Sequence, residues 1–165
     1  MAITKQKKGE ILAKISGVLK ETASVVFVGF KGLTVSEVNA LRAELKKDAV
    51  RYSVVKKTLL TKALEAQRVE GTLPELPGEV AIAYLEKGDD ITAPARGLQA
   101  FVKKLKEKLV FLGGVIEGKY LSKGEMATIA IIPSVPVLRG MFVNIINSPI
   151  QRFAIALNQI AEKKA

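Results

Sequence analysis

Residues 24–30 of the chain are Ser24-Val-Val-Phe-Val-Gly-Phe30, a short and almost uninterrupted apolar run. Such a run is typical of a β-strand that is buried on both faces. Outward from it along the chain, apolar runs of strand length alternate with segments whose apolar residues recur three or four apart. The predicted order is a helix capped by Thr34 or Ser36 and ending near Lys47, a strand at 51–55, a helix at 58–67, strands at 80–85 and 109–116 with a helix between them, and a short helix capped by Ser122. This alternation predicts a single N-terminal α/β domain with a parallel or mixed sheet flanked by helices.

Both ends of the chain are predicted to be helical. The first twenty-one residues are basic, and Ile11, Ile15 and Leu19 mark one face of an amphipathic helix instead of the apolar core of a signal sequence. Pro133 and Pro136 end the domain and begin a second helix. We therefore predict a domain at 1–132 and a long projecting C-terminal helix at 133–165.

The C-terminal helix carries far more apolar surface than a free helix would. Its large apolar residues form one continuous stripe, made of Leu138, Phe142, Ile145, Ile146, Ile150, Phe153, Leu157 and Ile160. The second half of the stripe repeats the first at an offset of eleven residues, because Phe142 and Ile146 correspond to Phe153 and Leu157. Pro149 lies between the two halves. At about 1.5–3 kcal/mol for each buried large side chain, the stripe must be covered, so it is predicted to dock two copies of one partner.

The composition excludes most kinds of catalytic site. The chain has no cysteine and no histidine, and its aspartates are Asp48, Asp89 and Asp90 alone. These absences remove the usual zinc sites, Ser-His-Asp catalysis and imidazole acid–base chemistry, so we predict no enzyme activity, no metal, no cofactor and no small-molecule substrate. The lack of cysteine also agrees with a cytoplasmic location.

One segment nearly matches a nucleotide-binding loop. Residues Gly113–Tyr120 resemble G-x-x-x-x-G-K-[ST], but Tyr120 occupies the Ser/Thr position that would bind magnesium. Bulky residues inside the segment favour a continuing strand or a hairpin, so no nucleotide site is predicted.

The positive charge is concentrated in the first part of the chain. The net charge is +10, and residues 1–68 carry fourteen Lys/Arg and six Asp/Glu, which gives +8. Residues 69–132 carry eight and nine, which gives −1, and the tail adds +3. An uneven distribution of this kind indicates a polyanionic partner.

Two short basic segments, Phe30–Thr34 and Val54–Thr58, each join a strand end to a helix start. Gly32 allows a close backbone approach, and a helix start offers free N–H groups to a phosphate. Neighbouring strands would place both exits on one edge of the sheet, and aromatic residues do not interleave with the lysines. We therefore predict contact with the backbone of a folded RNA. The predicted RNA-binding residues are Lys5, Lys7, Lys8, Lys31, Gly32, Thr34, Lys56, Lys57 and Thr58.

The order of several short motifs resembles the bacterial stalk-base protein family of the large ribosomal subunit, protein ten in that subunit's numbering. The motifs are Phe30-x-Gly-Leu-Thr-Val35, Leu41-Arg42-x-Glu-Leu45, Tyr52-x-Val-Val-Lys56-x-Thr-Leu-Leu60, Gly78-x-Val-Ala-Ile-Ala83 and Ser148-Pro149-Ile150. The resemblance covers nearly the whole chain. One departure is Lys57, where the family commonly has Asn.

The resemblance implies a scaffold. Its α/β domain would bind large-subunit ribosomal RNA at the stalk base, beside ribosomal protein eleven, in the cytoplasm. Its tail would anchor dimers of the acidic stalk protein, ribosomal protein twelve, which recruit translational GTPases. Family members can also bind their own messenger leader to repress synthesis.

Two other function classes stay open on the sequence alone. One is a small RNA-modifying enzyme, which would need a pocket with perturbed Lys or Glu residues. The other is a tail-anchored or membrane-surface protein, which vesicle binding would distinguish from a protein partner. Against a membrane span, polar residues keep the tail below the ~18 consecutive apolar residues that a spanning helix needs.

Overall fold

The structure is a computed structural model that describes residues 5–67, 75–86, 90–105 and 108–164. The chain divides into two compact units, residues 1–132 and residues 133–165. The elements of the first unit are α1 (Lys5–Glu21), β1 (Ser24–Phe30), α2 (Val35–Lys47), β2 (Val50–Val55), α3 (Lys57–Gln67), β3 (Glu79–Leu85), α4 (Ala93–Leu105), β4 (Leu109–Ile116), β5 (Lys119–Ser122) and α5 (Lys123–Ala130). The second unit contains α6 (Val135–Lys164).

The first unit is an α/β domain, as predicted, but the direction of its strand pairing differs from the prediction. The described strands form one sheet in the order β2-β3-β1-β4-β5, and every neighbouring pair is antiparallel. The expectation of a parallel or mixed sheet is therefore wrong.

The reason lies in two β-α-β units that interlock. Because β1 and β2 are both antiparallel to β3, they run in the same direction, as a strand–helix–strand unit requires. However, β3 lies between them in the sheet. In the same way β3 and β4 run in one direction with β1 between them. Each parallel pair is thus split by a strand of the other unit, an arrangement that alternation along the sequence does not reveal.

Helices cover both faces of the sheet and enclose two apolar clusters. On one face α2, α4 and α5 pack over a cluster that contains Val28, Leu45 and Met126. On the other face α1 and α3 pack over a cluster that contains Phe27, Leu60 and Ile82. The first five residues of β1 are buried, which confirms the prediction of a strand that is covered on both sides.

The caps of two helices are set by the sequence pattern Ser/Thr-x-x-Glu. Thr34 caps α2 together with Glu37, and Ser122 caps α5 together with Glu125; each pair forms a complete capping box. Between β4 and β5 the chain makes a hairpin through Glu117 and Gly118, both at positive φ. The segment that resembles a nucleotide-binding loop is therefore part of a hairpin, as predicted.

Candidate functional site

The ends of β1 and β2 and the start of β3 lie at one edge of the sheet, which we call the exit edge. In the register of the sheet Phe30 is paired with Glu79, and Val55 is paired with Val80. The two strand exits are thus separated by the width of β3, which places them about 10 Å apart. The structure brings both predicted basic segments to the same edge, although their strands are not direct neighbours.

At the first exit, the start of α2 is already occupied by a carboxylate. The side chain of Glu37 accepts hydrogen bonds from the backbone N–H of Thr34 at 2.8 Å and from its hydroxyl at 2.9 Å. The backbone and hydroxyl of Thr34, and then Lys108, hold the pKa of Glu37 below its ordinary value. The prediction that this helix start offers free groups to a phosphate is therefore wrong for Thr34. Lys31 is exposed, and Gly32 has a φ of +66°.

At the second exit, the start of α3 has no acidic residue in its first turn. The carbonyl of Lys56 accepts hydrogen bonds from the backbone N–H groups of Leu59 and Leu60, at 3.0 and 3.1 Å. Lys56, Lys57 and Thr58 are all exposed. Within the described ranges, none of the three ion pairs involves Lys56 or Lys57. This exit meets the physical requirements of a phosphate site better than the first, because both cations and the positive end of the helix face solvent.

Helix α1 reaches the second exit from the side. Lys7 and Lys8 are exposed, and Ile11, one turn beyond Lys7, lines a cavity together with Lys56 and Lys57. Lys5 is the first residue of α1, and its side chain lies outside the described part of the structure.

Two cavities open along the exit edge, and the sequence did not indicate them. A cavity of about 720 Å³ includes Lys31 and Lys123 among its lining residues, and a cavity of about 430 Å³ lies beside Lys56 and Lys57. Both are also lined by Phe30, Gly78 and Glu79. Lys123 and Glu79 were missed because they belong to the near-neutral part of the sequence, and only the strand order brings them to this edge.

The second unit presents the predicted stripe to solvent. Helix α6 runs without a break through Pro149, and its first turn is closed by a hydrogen bond of 2.9 Å from the backbone N–H of Leu138 to the carbonyl of Ser134. All eight stripe residues are between 41% and 70% exposed. The same helix also exposes apolar residues outside the predicted stripe, namely Val135, Val137, Met141, Val143 and Ile155.

The two halves of the stripe lie on the same side of α6. Thirty residues give a helix of about 45 Å, and an offset of eleven residues is about three turns. Phe142 and Phe153 are therefore related by a shift of about 16 Å along the axis with almost no rotation. Pro149 lacks the N–H that would bond to the carbonyl of Ile145, so it weakens the helix between the halves.

The described residues offer little to the alternative site types. They include no group of three or more acidic residues placed to hold a metal ion. No single helix among them is long and apolar enough to cross a membrane, although α5 and the apolar part of α6, taken together, pass that test by length and composition.

Comparison with known proteins decides the family. The model of the family Ribosomal protein L10 matches residues 3–103. The chain belongs to this family. A large ribosomal subunit protein uL10 of Shouchella clausii (strain KSM-K16) is 35% identical over 159 residues, which are 96% of this chain and 94% of the relative. The protein of the same name from Staphylococcus epidermidis (strain ATCC 35984) is 36% identical over 163 residues, 99% of this chain and 96% of the relative. The one from Lactobacillus johnsonii is 33% identical over 158 residues, 96% of this chain and 95% of the relative. These matches confirm the resemblance inferred from the motifs, and they are to ribosomal proteins, not to enzymes.

Proposed function

We propose that the chain is a structural scaffold of the large ribosomal subunit that binds RNA with one unit and a protein partner with the other. Residues 1–132 bind large-subunit ribosomal RNA at the stalk base, next to ribosomal protein eleven. Helix α6 anchors dimers of the acidic stalk protein, ribosomal protein twelve, which recruit translational GTPases. The location that follows is the cytoplasm, on the ribosome.

The RNA part of this proposal is supported by the lysines of the exit edge. Lys31, Lys56 and Lys57 are exposed, and Lys7 and Lys8 approach the same edge from α1. Exposed lysines that face one way neutralise phosphates and release counterions, which gives affinity without base contacts. The same surface would bind a messenger leader of similar shape, so repression of the chain's own synthesis uses no additional site.

The partner part is carried by a single observation, the exposure of the entire stripe on a helix of thirty residues. Contiguous apolar surface of this extent marks an interaction site in a soluble protein. Each half offers four large side chains, about 6–12 kcal/mol gross at about 1.5–3 kcal/mol each, which exceeds the lower range of association costs. Because the halves repeat on one side of the helix, we propose two partner dimers, one on each half.

The deciding experiment is reconstitution of the full chain with the acidic partner, followed by native mass spectrometry. The intact chain should carry four partner copies. Phe153→Asp should remove one dimer and leave the other, because a charge in an apolar interface is costly to bury. A single dimer on the intact chain would contradict the proposal, as would the loss of both dimers from the variant.

The matched control places the same charge on the other side of the helix. Asn158 lies about 140° around the axis from Phe153, so Asn158→Asp should keep both dimers. As a test of the whole assignment, the chain purified from cells at low salt should retain ribosomal RNA and several copies of one small acidic protein. Retention of lipid in their place would favour the membrane alternative.

A further inference from the structure

The two cavities of the exit edge lie next to each other as two parts of one groove, because both are lined by Phe30, Gly78 and Glu79. We call it the edge groove. Its larger part has a volume of about 720 Å³ and its smaller part about 430 Å³. Both volumes fall in the range of about 300–1,000 Å³ that is usual for pockets that bind small ligands. The groove is therefore large enough to hold more than side chains or water.

The inner surface of the groove is apolar. Val110 and Leu112 of β4 line the larger part, and Ile11 and Leu59 line the smaller part. Gly29 helps to keep the larger part open, since a Cβ at this position would lie 3.3 Å from the side chain of Leu112. Phe30, which lines both parts, adds an aromatic ring to this apolar surface, and such a surface suits the face of a nucleobase.

The rim of the groove is basic at both ends and acidic in the middle. Lys31 and Lys123 border the larger part, and Lys56 and Lys57 border the smaller part. Glu79 lies between them, and in the described part of the chain it forms no ion pair with any of these lysines. A carboxylate at the centre of a phosphate-binding surface repels the RNA backbone. A hydrogen bond that the carboxylate accepts from a base would offset this repulsion.

We propose that the edge groove binds two unpaired nucleotides of the RNA, with one base in each part. The lysines at the two ends bind the flanking phosphates, and the Glu79 carboxylate accepts a hydrogen bond from an exocyclic amino group. Adenine, cytosine and guanine carry an exocyclic amino group that can donate to a carboxylate, whereas uracil has none. The groove therefore selects any of these three bases over uracil. This inference rests on the proposed RNA-binding function and adds base recognition to contacts that otherwise involve only the backbone.

The test compares the stalk-base fragment of large-subunit ribosomal RNA with versions in which one unpaired nucleotide at a time is abasic or replaced by uridine. With the full chain, one or two positions should lose affinity about 5- to 100-fold when made abasic, as expected for removing a stacked base. Val110→Phe should obstruct the larger part of the groove, and aromatic residues are well tolerated in strands. For the position whose base occupies the larger part, this variant should bind the intact and the abasic fragment equally well, while the penalty at the other position should remain.

Glu79→Ala provides a second variant, at an exposed position where folding is not at risk. It should lose the discrimination against uridine and bind the uridine version more tightly than the unmodified chain does. The control for Val110→Phe is Ile131→Phe, which also adds an aromatic ring but at an exposed residue at the C-terminal end of α5. It should change neither the abasic penalty nor the discrimination against uridine.

Equal binding of the intact, abasic and uridine fragments by the unmodified chain, with a steep salt dependence, would overturn base recognition and leave the proposed RNA-binding function standing. Abasic penalties that stay unchanged at every position in Val110→Phe would also overturn it. If the unmodified chain binds none of the fragments, both the inference and the proposed function fail.

Discussion

Reversing the charge of Lys31, Lys56 and Lys57 to Glu should remove most of the RNA affinity of the chain. If the exit edge neutralises about four to six phosphates, the logarithm of the affinity should fall against the logarithm of salt with a slope of about −3 to −5. Three of those contacts come from these lysines, so the variant should lose about 2 to 3 units of slope. For a slope of −4, raising salt fourfold weakens binding about 250-fold, whereas a remaining slope of about −1.5 gives only about 8-fold.

The assay is a titration of labelled stalk-base RNA at several salt concentrations, with circular dichroism to confirm that the variant is folded. The matched control reverses the charge of Lys20, Lys47 and Lys119 to Glu, which changes the net charge by the same amount as the first variant. Lys20 lies in the last turn of α1, Lys47 ends α2 and Lys119 begins β5, so all three lie toward the opposite edge of the sheet. The control should keep the slope of the unmodified chain. Equal losses in the two variants would show that net charge, and not the exit edge, drives binding.

Three further predictions concern the stability of the fold. Burial raises the pKa of Tyr52 from its ordinary value of 10.0 to about 12, so the stability contributed by its neutral phenol is complete below pH 10 and is lost as the pH rises toward 12. The Tyr52 hydroxyl has no hydrogen-bond partner among the described residues. In urea unfolding at pH 7, the free energy of unfolding of Tyr52→Phe should therefore lie within about 1 kcal/mol of the parent value. The variant should also resist alkaline unfolding better than the parent. Gly114→Ala should lower the free energy of unfolding by about 1–3 kcal/mol or more, because its Cβ would lie 2.7 Å from a carbonyl oxygen of β1. Gly124→Ala, whose Cβ would have nothing within 4 Å, should raise the free energy of unfolding by about 0.5–1 kcal/mol. Deleting residues 133–165 should leave the melting temperature of the first unit unchanged by circular dichroism, because both core clusters contain residues of 1–132 alone, and a large loss would contradict this.

Local features of the fold could be predicted because short stretches of sequence determine them. The bounds of β1 and β4 were predicted correctly, since each is a continuous apolar run between polar segments. The cap at Thr34 was one of two candidates, and the spacing to Glu37 decides it, because only this pair completes a capping box. The same spacing, considered in full, would also have shown that the helix start is occupied.

The strand order could not be predicted, because it depends on pairing between distant segments. The strand that contains Glu79 follows α3 in the chain, yet it is inserted between β1 and β2. A helix between two strands fixes their relative direction but not whether a third strand separates them. For this reason the sequence predicted that the basic exits share an edge, while the carboxylate between them and Lys123 beside them were missed.

The two strand exits, although similar in sequence, differ in what they can bind. At the α2 start the ionised Glu37 satisfies Thr34 and pairs with Lys108 at 3.1 Å, so a phosphate at Thr34 would have to displace a carboxylate. At the α3 start the residue before the helix is a lysine, the first helical residue is another, and no carboxylate lies in the first turn. A phosphate would therefore meet attraction at α3 and competition at α2, and we expect Lys31 to act through its charge, not through the helix behind it. Lys57, where the resemblance to the family predicts Asn, acts in the same direction, because it adds a cation at a helix start whose first turn contains no acidic residue.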